Sequence, residues 1–390
     1  MTQAKQAITA SRFYQFMGAH SFLIGLLPFF IPVYLWRSGF SLAHLSLLIG
    51  VSGLSFCAVL GLWQTLARTW PLTRLIALTF VLELLLIVIL SLLGTSLLSL
   101  LPLAIINGIY NAFFWTTQRT VFISITSHNN TGRQYGNFQI FVTVFLKIGL
   151  LAGGLLLDAG GIKWLILLSA IVGLTASLWF YRVVTDAPLD QFDSTKLSHS
   201  LRYDDAHHSQ RIFLIDGLFL YLESHFWTLS LFLLVKQDYS RLGITVVALA
   251  LLFSVLFFAI KNIIDKYSGA LVYSAAVVLY VASWLVRAVI NPEASTQWIL
   301  IALVLITFCS SFFRLAFNKR FFDIAMAGNR TQYLLIKSYV SQLILGLSFL
   351  CLAALQFFWP DVNSFTYLYL AAALLALFYT GYGAKKAAPQ

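Results

Sequence analysis

The 390-residue chain is 60% hydrophobic and only 10% charged, with a mean hydropathy of +0.86 and a net charge of +11. A soluble domain carries about 25% charged residues, so the composition excludes one. The basic residues are scattered through short connections, which excludes a nucleic-acid face. Cys57, Cys309 and Cys351 fall inside apolar stretches without metal-ligand spacing, so no metal, cofactor or nucleic-acid partner is expected.

Apolar windows of roughly 20 residues, the length that crosses a hydrocarbon core, recur along the chain. The first six run at about 13–36, 41–66, 73–94, 97–122, 135–157 and 162–184. A second six follow at about 211–235, 242–264, 268–290, 297–320, 332–357 and 362–382. Each must be helical, because unpaired peptide groups in lipid are costly. The expected fold is therefore an all-α membrane protein of 12 transmembrane helices in two parallel six-helix repeats. Its parts would be a first bundle over 1–184, a linker over 185–210 and a second bundle over 211–390.

In span one, His20 sits beside Gly18, Ser21 and Gly25, and Pro28 and Pro32 permit bending. A lone histidine in such a helix reads as a hydrogen-bonded packing residue. The stretch is too long for a signal-peptide core, so it is expected to be retained. Span two ends at Arg68, and span three carries Glu83 among leucines. Span four places Asn107, Asn111, Trp115 and Gln118 on one side, with Tyr110 adjacent. Span five repeats Gln139, Thr143 and Lys147 at four-residue spacing, then Gly149, Gly153 and Gly154, whose missing side chains let helices approach closely.

The linker, with Asp186, Asp190, Asp193, Asp204, Asp205, His207 and His208, reads as solvated chain. Span seven carries Asp216, placed near the helix end, then Glu223 and Trp227 on the same face, with His225 opposite. Span ten brings Arg314 and Asn318, and span eleven Lys337, Ser341 and Ser348. An N-terminus on the cytoplasmic side puts most Lys and Arg there, leaving only Arg37, Lys163, Lys236, Arg241 and Arg287 on the far side. Both termini are therefore expected in the cytoplasm and the protein in an inner membrane.

An internal repeat supports the two halves. Phe113-Phe114-Trp115, Gln118-Arg119 and Phe122 find counterparts in Phe312-Phe313-Arg314, Asn318-Lys319 and Phe322, about half the chain later. Asp265-Lys266-Tyr267-Ser268-Gly269 stands between spans eight and nine. With the two parallel halves, it is similar to the cytoplasmic turn of the major facilitator superfamily. That resemblance implies alternating access around a central site and a gating role for Asp265, Lys266 and Gly269. The corresponding turn after span two keeps Gly61 and Arg68, which the same resemblance makes a gating candidate, but lacks the acid. Gly149 and Gly153-Gly154 resemble the glycine-rich helix of the family's antiporters, without their proline. The arginine that drug exporters place in span four is replaced by Ala104-Ile105-Ile106-Asn107-Gly108.

Ionisable groups at membrane depth are functional candidates by default. Glu223, Glu83 and Asp216 are candidates for proton coupling, with Glu223 first. Lys147, Lys337 and Arg314 would offer positive charge to a substrate. Asn107, Asn111, Gln118, Gln139, Thr143, Asn318 and Ser341 would offer hydrogen bonds, and Tyr110, Trp115 and Trp227 aromatic surface. No nucleophile-base-acid set or phosphate loop is visible, so no enzyme is expected. The expected function is proton-coupled export of a small amphipathic or anionic solute, drug- or siderophore-like. Alternatives are a nutrient uptake symporter, a lipid translocator or a transport-dead sensor. Expected partners are the solute, protons and membrane lipids, and a monomer is expected.

Overall fold

The structure is a computed structural model that describes residues 9–94, 96–125, 131–182, 201, 209–264, 269–327, 330–359 and 364–383. Among these there is no strand. The first half comprises α1 (Ala10–Leu26), α2 (Ile31–Arg37), α3 (Leu42–Thr69), α4 (Leu72–Ser91), α5 (Leu97–Ile125), α6 (Thr131–Gly160) and α7 (Ile162–Arg182). The second comprises α8 (Ser209–Tyr221), α9 (Trp227–Leu234), α10 (Tyr239–Ile264), α11 (Gly269–Val289), α12 (Thr296–Ala327), α13 (Arg330–Phe358) and α14 (Phe365–Ala376).

Among the described residues, ten spans are long and apolar enough to cross a membrane, and two shorter apolar helices, Tyr239–Phe253 and Phe365–Gly381, stand in the eighth and twelfth places. Two spans are broken internally. Pro28 opens a 3-10 turn, Pro28–Phe30, that separates α1 from α2, where proline cannot donate to the preceding turn. A single π-helical turn, Leu222–Phe226, separates α8 from α9. The connections are tight, and Gly39 and Gly161 turn the chain at φ +89° and +69°, where a β-carbon would be strained.

Exposed apolar stripes mark the lipid-facing surface. Val81, Leu85 and Val88 line one side of α4, continued by Leu92 at its C-cap, and Leu167, Ile171, Leu174 and Leu178 line one side of α7. Such stripes on a water-soluble surface would be aggregation sites; against acyl chains they cost nothing.

The halves meet along two helix pairs, α3 with α13 and α6 with α10. Small residues bring the first pair together: a β-carbon on Gly53 would lie 2.7 Å from the Gln342 carbonyl oxygen and 3.0 Å from the Gly346 Cα. The Ser46 hydroxyl donates to Gln356 Oε1 at 2.7 Å across the same seam. At the end bearing both described termini, Phe122 and Phe322 pack at 5.1 Å between ring centroids. At the opposite end Asp158 accepts from the Ser240 amide at 2.7 Å, Phe30 packs on Tyr239 and Arg37 lies 5.0 Å over the Tyr239 ring. The halves thus touch at both ends of the bundle.

Candidate functional site

The polar residues within the second half converge on Arg314. Its Nη1 donates to Asp216 Oδ1 at 3.0 Å and its Nε to Glu223 Oε2 at 3.1 Å. Asp216 also takes Lys337 Nζ on Oδ2 at 2.8 Å and the Tyr379 hydroxyl on Oδ1 at 3.0 Å. Glu223 Oε1 accepts from the Tyr280 hydroxyl at 2.8 Å. Two acids and two bases from α8, the π turn, α12 and α13 therefore cancel, and every carboxylate oxygen has a donor. Such a network tolerates burial only because it is complete.

Burial is uneven across it. The side chain of Asp216 is only 2% exposed, whereas those of Glu223 and Arg314 are 21% and 18% exposed. The π turn that carries Glu223 also touches α2 of the first half, so the exposed end of the network lies toward the inter-half space. An extra residue in a helical turn redirects the side chains there, a device common at functional sites. Asp216, placed near a helix end by the sequence, is instead the buried hub. It is held there because Lys337 and Arg314 both reach it.

Arg287 corrects the sequence reading more sharply. Counted with the far-side loops, it is in fact 3% exposed inside α11. Its guanidinium donates to Ser283 and Ser310 at 2.9 and 2.8 Å and lies 4.3 and 4.8 Å from the Trp284 and Trp227 rings. Trp227 is thus occupied as a cation–π partner and does not open onto a free site. Tyr280, Tyr379 and Arg119 were also missed. A tyrosine in an apolar helix gives no sign of whether its hydroxyl reaches an acid, while Arg119 was visible in the internal repeat.

In the first half, Asn111 Nδ2 donates to Asn107 Oδ1 at 3.1 Å, and Trp115 Nε1 donates to Asn111 Oδ1 at 3.0 Å. Trp115 is 38% exposed and lies beneath Arg119, which donates to the Ser338 hydroxyl of the other half at 3.2 Å. Asn111, Trp115 and Arg119 therefore share the inter-half face, at four-residue spacing. Asn107 is turned away, donating to Ser52 at 3.1 Å inside its own half. Tyr110 is buried beside His20 and Glu83, and Gln118 is buried as well. Asn107 and Tyr110 therefore do not face the inter-half space as expected.

Lys147 is half-buried on α6 and has no hydrogen-bond or ion-pair partner among the described residues. Gly154, two turns further on the same face, would put a β-carbon 2.8 Å from the Tyr239 carbonyl oxygen of α10. Lys147 therefore looks toward the second half. Gln139 and Thr143 are half-buried on the same helix, and Asn318 half-buried on α12. Gly149 and Gly153 lie on the other side of α6, their open faces filled by Phe22 and Leu26 of α1. The Ser341 hydroxyl donates to the Phe213 carbonyl at 2.7 Å and serves packing.

Of the expected gating residues, Arg68 lies half-buried in the last turn of α3, and Gly269 opens α11 with no described atom within 4 Å of where a β-carbon would sit. Asp265 and Lys266 lie outside the described residues, as does the 185–210 linker apart from Leu201, Ser209 and Gln210. No cluster of metal-ligating side chains occurs among the described residues.

Two helical halves joined along paired crossing helices, with charged side chains turned inward from lipid, define a membrane transport protein. The family model of the Major Facilitator Superfamily matches residues 16–336, and the chain belongs to that superfamily. Among curated proteins none is matched by sequence. Among solved structures the chain is similar to the nucleoside transporter NupG, with a TM-score of 0.68 at 12% identity, covering 94% of this chain and 98% of that one. It is also similar to the human organic anion transporter MFSD10 (TETRAN), with a TM-score of 0.62 at 14% identity, covering 96% of this chain and all of that one. At such identities the likeness shows the fold alone.

Proposed function

We propose that the protein is a proton-coupled secondary carrier of a small amphipathic organic solute bearing an anionic group. The observation that carries this reading is Lys147, an ammonium at mid-span that faces the second half and has no counter-charge among the described residues. A bare cation there is costly, and an anionic solute would supply what the chain does not. Trp115, half-exposed on the same inter-half face, would take an apolar ring of the solute. The similarity in fold to an organic anion transporter agrees with this class of cargo.

Coupling is assigned to Glu223, the exposed end of the ion-pair network. A second polar group of the solute that accepts from Arg314 leaves Glu223 without its base, and the displaced side chain then binds a proton. Solute and proton bound together favour co-transport, and so inward movement under an inward proton gradient. Export, the direction expected from the glycine-rich span five, is the second reading, and the half-exposed Trp115 favours it through affinity for drug-like rings. Everted vesicles given a proton gradient separate the two. Accumulation inside them means export; accumulation only in right-side-out vesicles means uptake. Transport in Glu223→Gln that remains fully proton-dependent would overturn the coupling assignment.

A further inference from the structure

A second set of titratable groups lies wholly inside the first half. His20 of α1 is 0% exposed and Glu83 of α4 is 1% exposed. His20 Nδ1 lies 2.9 Å from Glu83 Oε2, and His20 Nε2 lies 2.9 Å from the Thr79 hydroxyl oxygen. Rings close every other side. Phe80 stacks on the imidazole at 4.3 Å and Phe114 lies at 4.3 Å, with Phe16 at 5.1 Å edge-on. Tyr110 of α5 is the other titratable group that faces the pair, and Phe180 is what α7 contributes to this wall. No lysine or arginine among the described residues contacts it.

The hydrogen-bond inventory limits which protonation states fit. The Thr79 hydroxyl lies 2.7 Å from the Ile76 carbonyl, which accepts its single proton. The threonine oxygen then accepts from His20, so Nε2 carries a hydrogen. The contact between Nδ1 and Glu83 also requires a proton, since two bare lone pairs cannot rest 2.9 Å apart. That proton sits on the imidazole or on the carboxyl, and either way the pair is neutral overall. The deprotonated alternative needs the Thr79 hydroxyl turned to Nε2, leaving a net negative charge in an aromatic box. In that state the carboxylate would keep only two neutral neighbours, the imidazole Nδ1–H at 2.9 Å and the Tyr110 hydroxyl, and among the described residues no cation to offset its charge.

We propose that His20 and Glu83 form a one-proton binding site, loaded in the sealed conformation of this structure, with the Thr79 hydroxyl as the rotor that accompanies unloading. Loading takes one proton from water and forms one N–H or O–H bond; unloading returns it. Because a sealed negative charge is unfavourable, release requires water to reach α1 and α4, which ties it to opening of the first half. The link to transport rests on the proton-coupled reading above, whereas the site itself does not.

The test is infrared difference spectroscopy on the full-length protein in nanodiscs without solute, comparing wild type with Glu83→Gln. The amide introduced by Glu83→Gln cannot carry the proton but preserves shape. At neutral pH the wild type should show a protonated-carboxyl or imidazolium band that disappears in Glu83→Gln and also in His20→Gln. A Glu83 carboxylate band with no imidazolium mode would overturn the proposal. A shape-matched double variant, His20→Met with Glu83→Leu, is then reconstituted in liposomes. Solute counterflow should persist while proton-driven accumulation falls, Glu223 remaining as the other proton-binding group. Accumulation undiminished in the double variant would remove the coupling role and leave the spectroscopic result standing. Loss of counterflow as well as accumulation in a folded double variant would make the pair a structural part of the transport cycle and overturn its separate coupling role.

Discussion

The guanidinium of Arg119 donates a 3.2 Å hydrogen bond to the hydroxyl of Ser338, the neighbour in sequence of Lys337. Through it the first half reaches the ion-pair network of the second, and like charges, Arg119 and Lys337, are held close across the seam. Asp216 offsets that repulsion from the other side, at 2.8 Å from the lysine. The inter-half contact and the charge state of the network are therefore linked by Coulomb attraction and repulsion at short range in a poorly screened interior.

Removing that tie should loosen the end of the bundle closed by Phe122 and Phe322, whose ring centroids are 5.1 Å apart. Cysteines introduced at both positions should cross-link readily in the otherwise native chain and less in Arg119→Gln. The loss of a charged hydrogen bond should cost about 1.5–3 kcal/mol of that closure. An unchanged cross-linking yield would mean that the Arg119–Ser338 bond does not hold this end of the bundle closed.

Charge parity governs the network of Asp216, Glu223, Arg314 and Lys337. Lys337→Met leaves one negative charge in excess, Asp216→Asn one positive, and the double variant restores neutrality. Each single change should destabilise strongly, about 3–5 kcal/mol where a buried charge is orphaned. The double should be more stable than the sum of the singles by about 1–3 kcal/mol, read from thermal unfolding in detergent as a double-mutant cycle. Strict additivity would show that lysine and aspartate do not share one network.

The all-helical membrane fold was legible because lipid imposes one rule on every residue of a span, and hydropathy reports it. The candidate site was legible only in part. Glu223, Arg314 and Lys337 declared themselves as charges in apolar helices, but their pairing depends on which helices are neighbours. Arg287 was misplaced because a charge near a helix end reads as loop from sequence, while two tryptophans and two serines fold around it. The contact of His20 with Glu83 joins helices one and three, and no spacing within either helix predicts it. Asn107 and Tyr110 shared a stripe with Trp115, yet a helix packed on several sides has more than one polar face.

The glycines of α6 separate packing within a half from packing between halves. A β-carbon on Gly149 would strike the Phe22 carbonyl oxygen of α1, whereas one on Gly154 meets the Tyr239 carbonyl oxygen of α10 at 2.8 Å. Gly149→Ala should therefore lower the unfolding temperature of the whole protein, by overpacking worth about 1–3 kcal/mol. Gly154→Ala should leave it closer to native and shift the balance toward separated halves, measured as greater labelling of a cysteine at Trp115. Equal thermal losses in both variants would mean that the α6–α10 seam is as permanent as the α1–α6 seam.

Lys147 and Lys337 differ in partnership, and so should their variants. Lys337 is locked to Asp216 at 2.8 Å, so Lys337→Ala removes half of a buried pair and should reduce stability and transport of every solute alike. Lys147 has no such partner among the described residues to abandon, and Lys147→Ala relieves a half-buried cation, so stability should hold or rise. Its loss should instead fall on the anionic solute, by about 10-fold or more in apparent affinity if one charge-assisted hydrogen bond of about 1.5–3 kcal/mol is removed. A neutral analogue of the same shape should bind both proteins equally. The comparison needs only two ligands and two variants in a binding titration. Should Lys147→Ala weaken both ligands to the same degree, the ammonium is holding helices rather than cargo, and the anion-binding assignment fails with it.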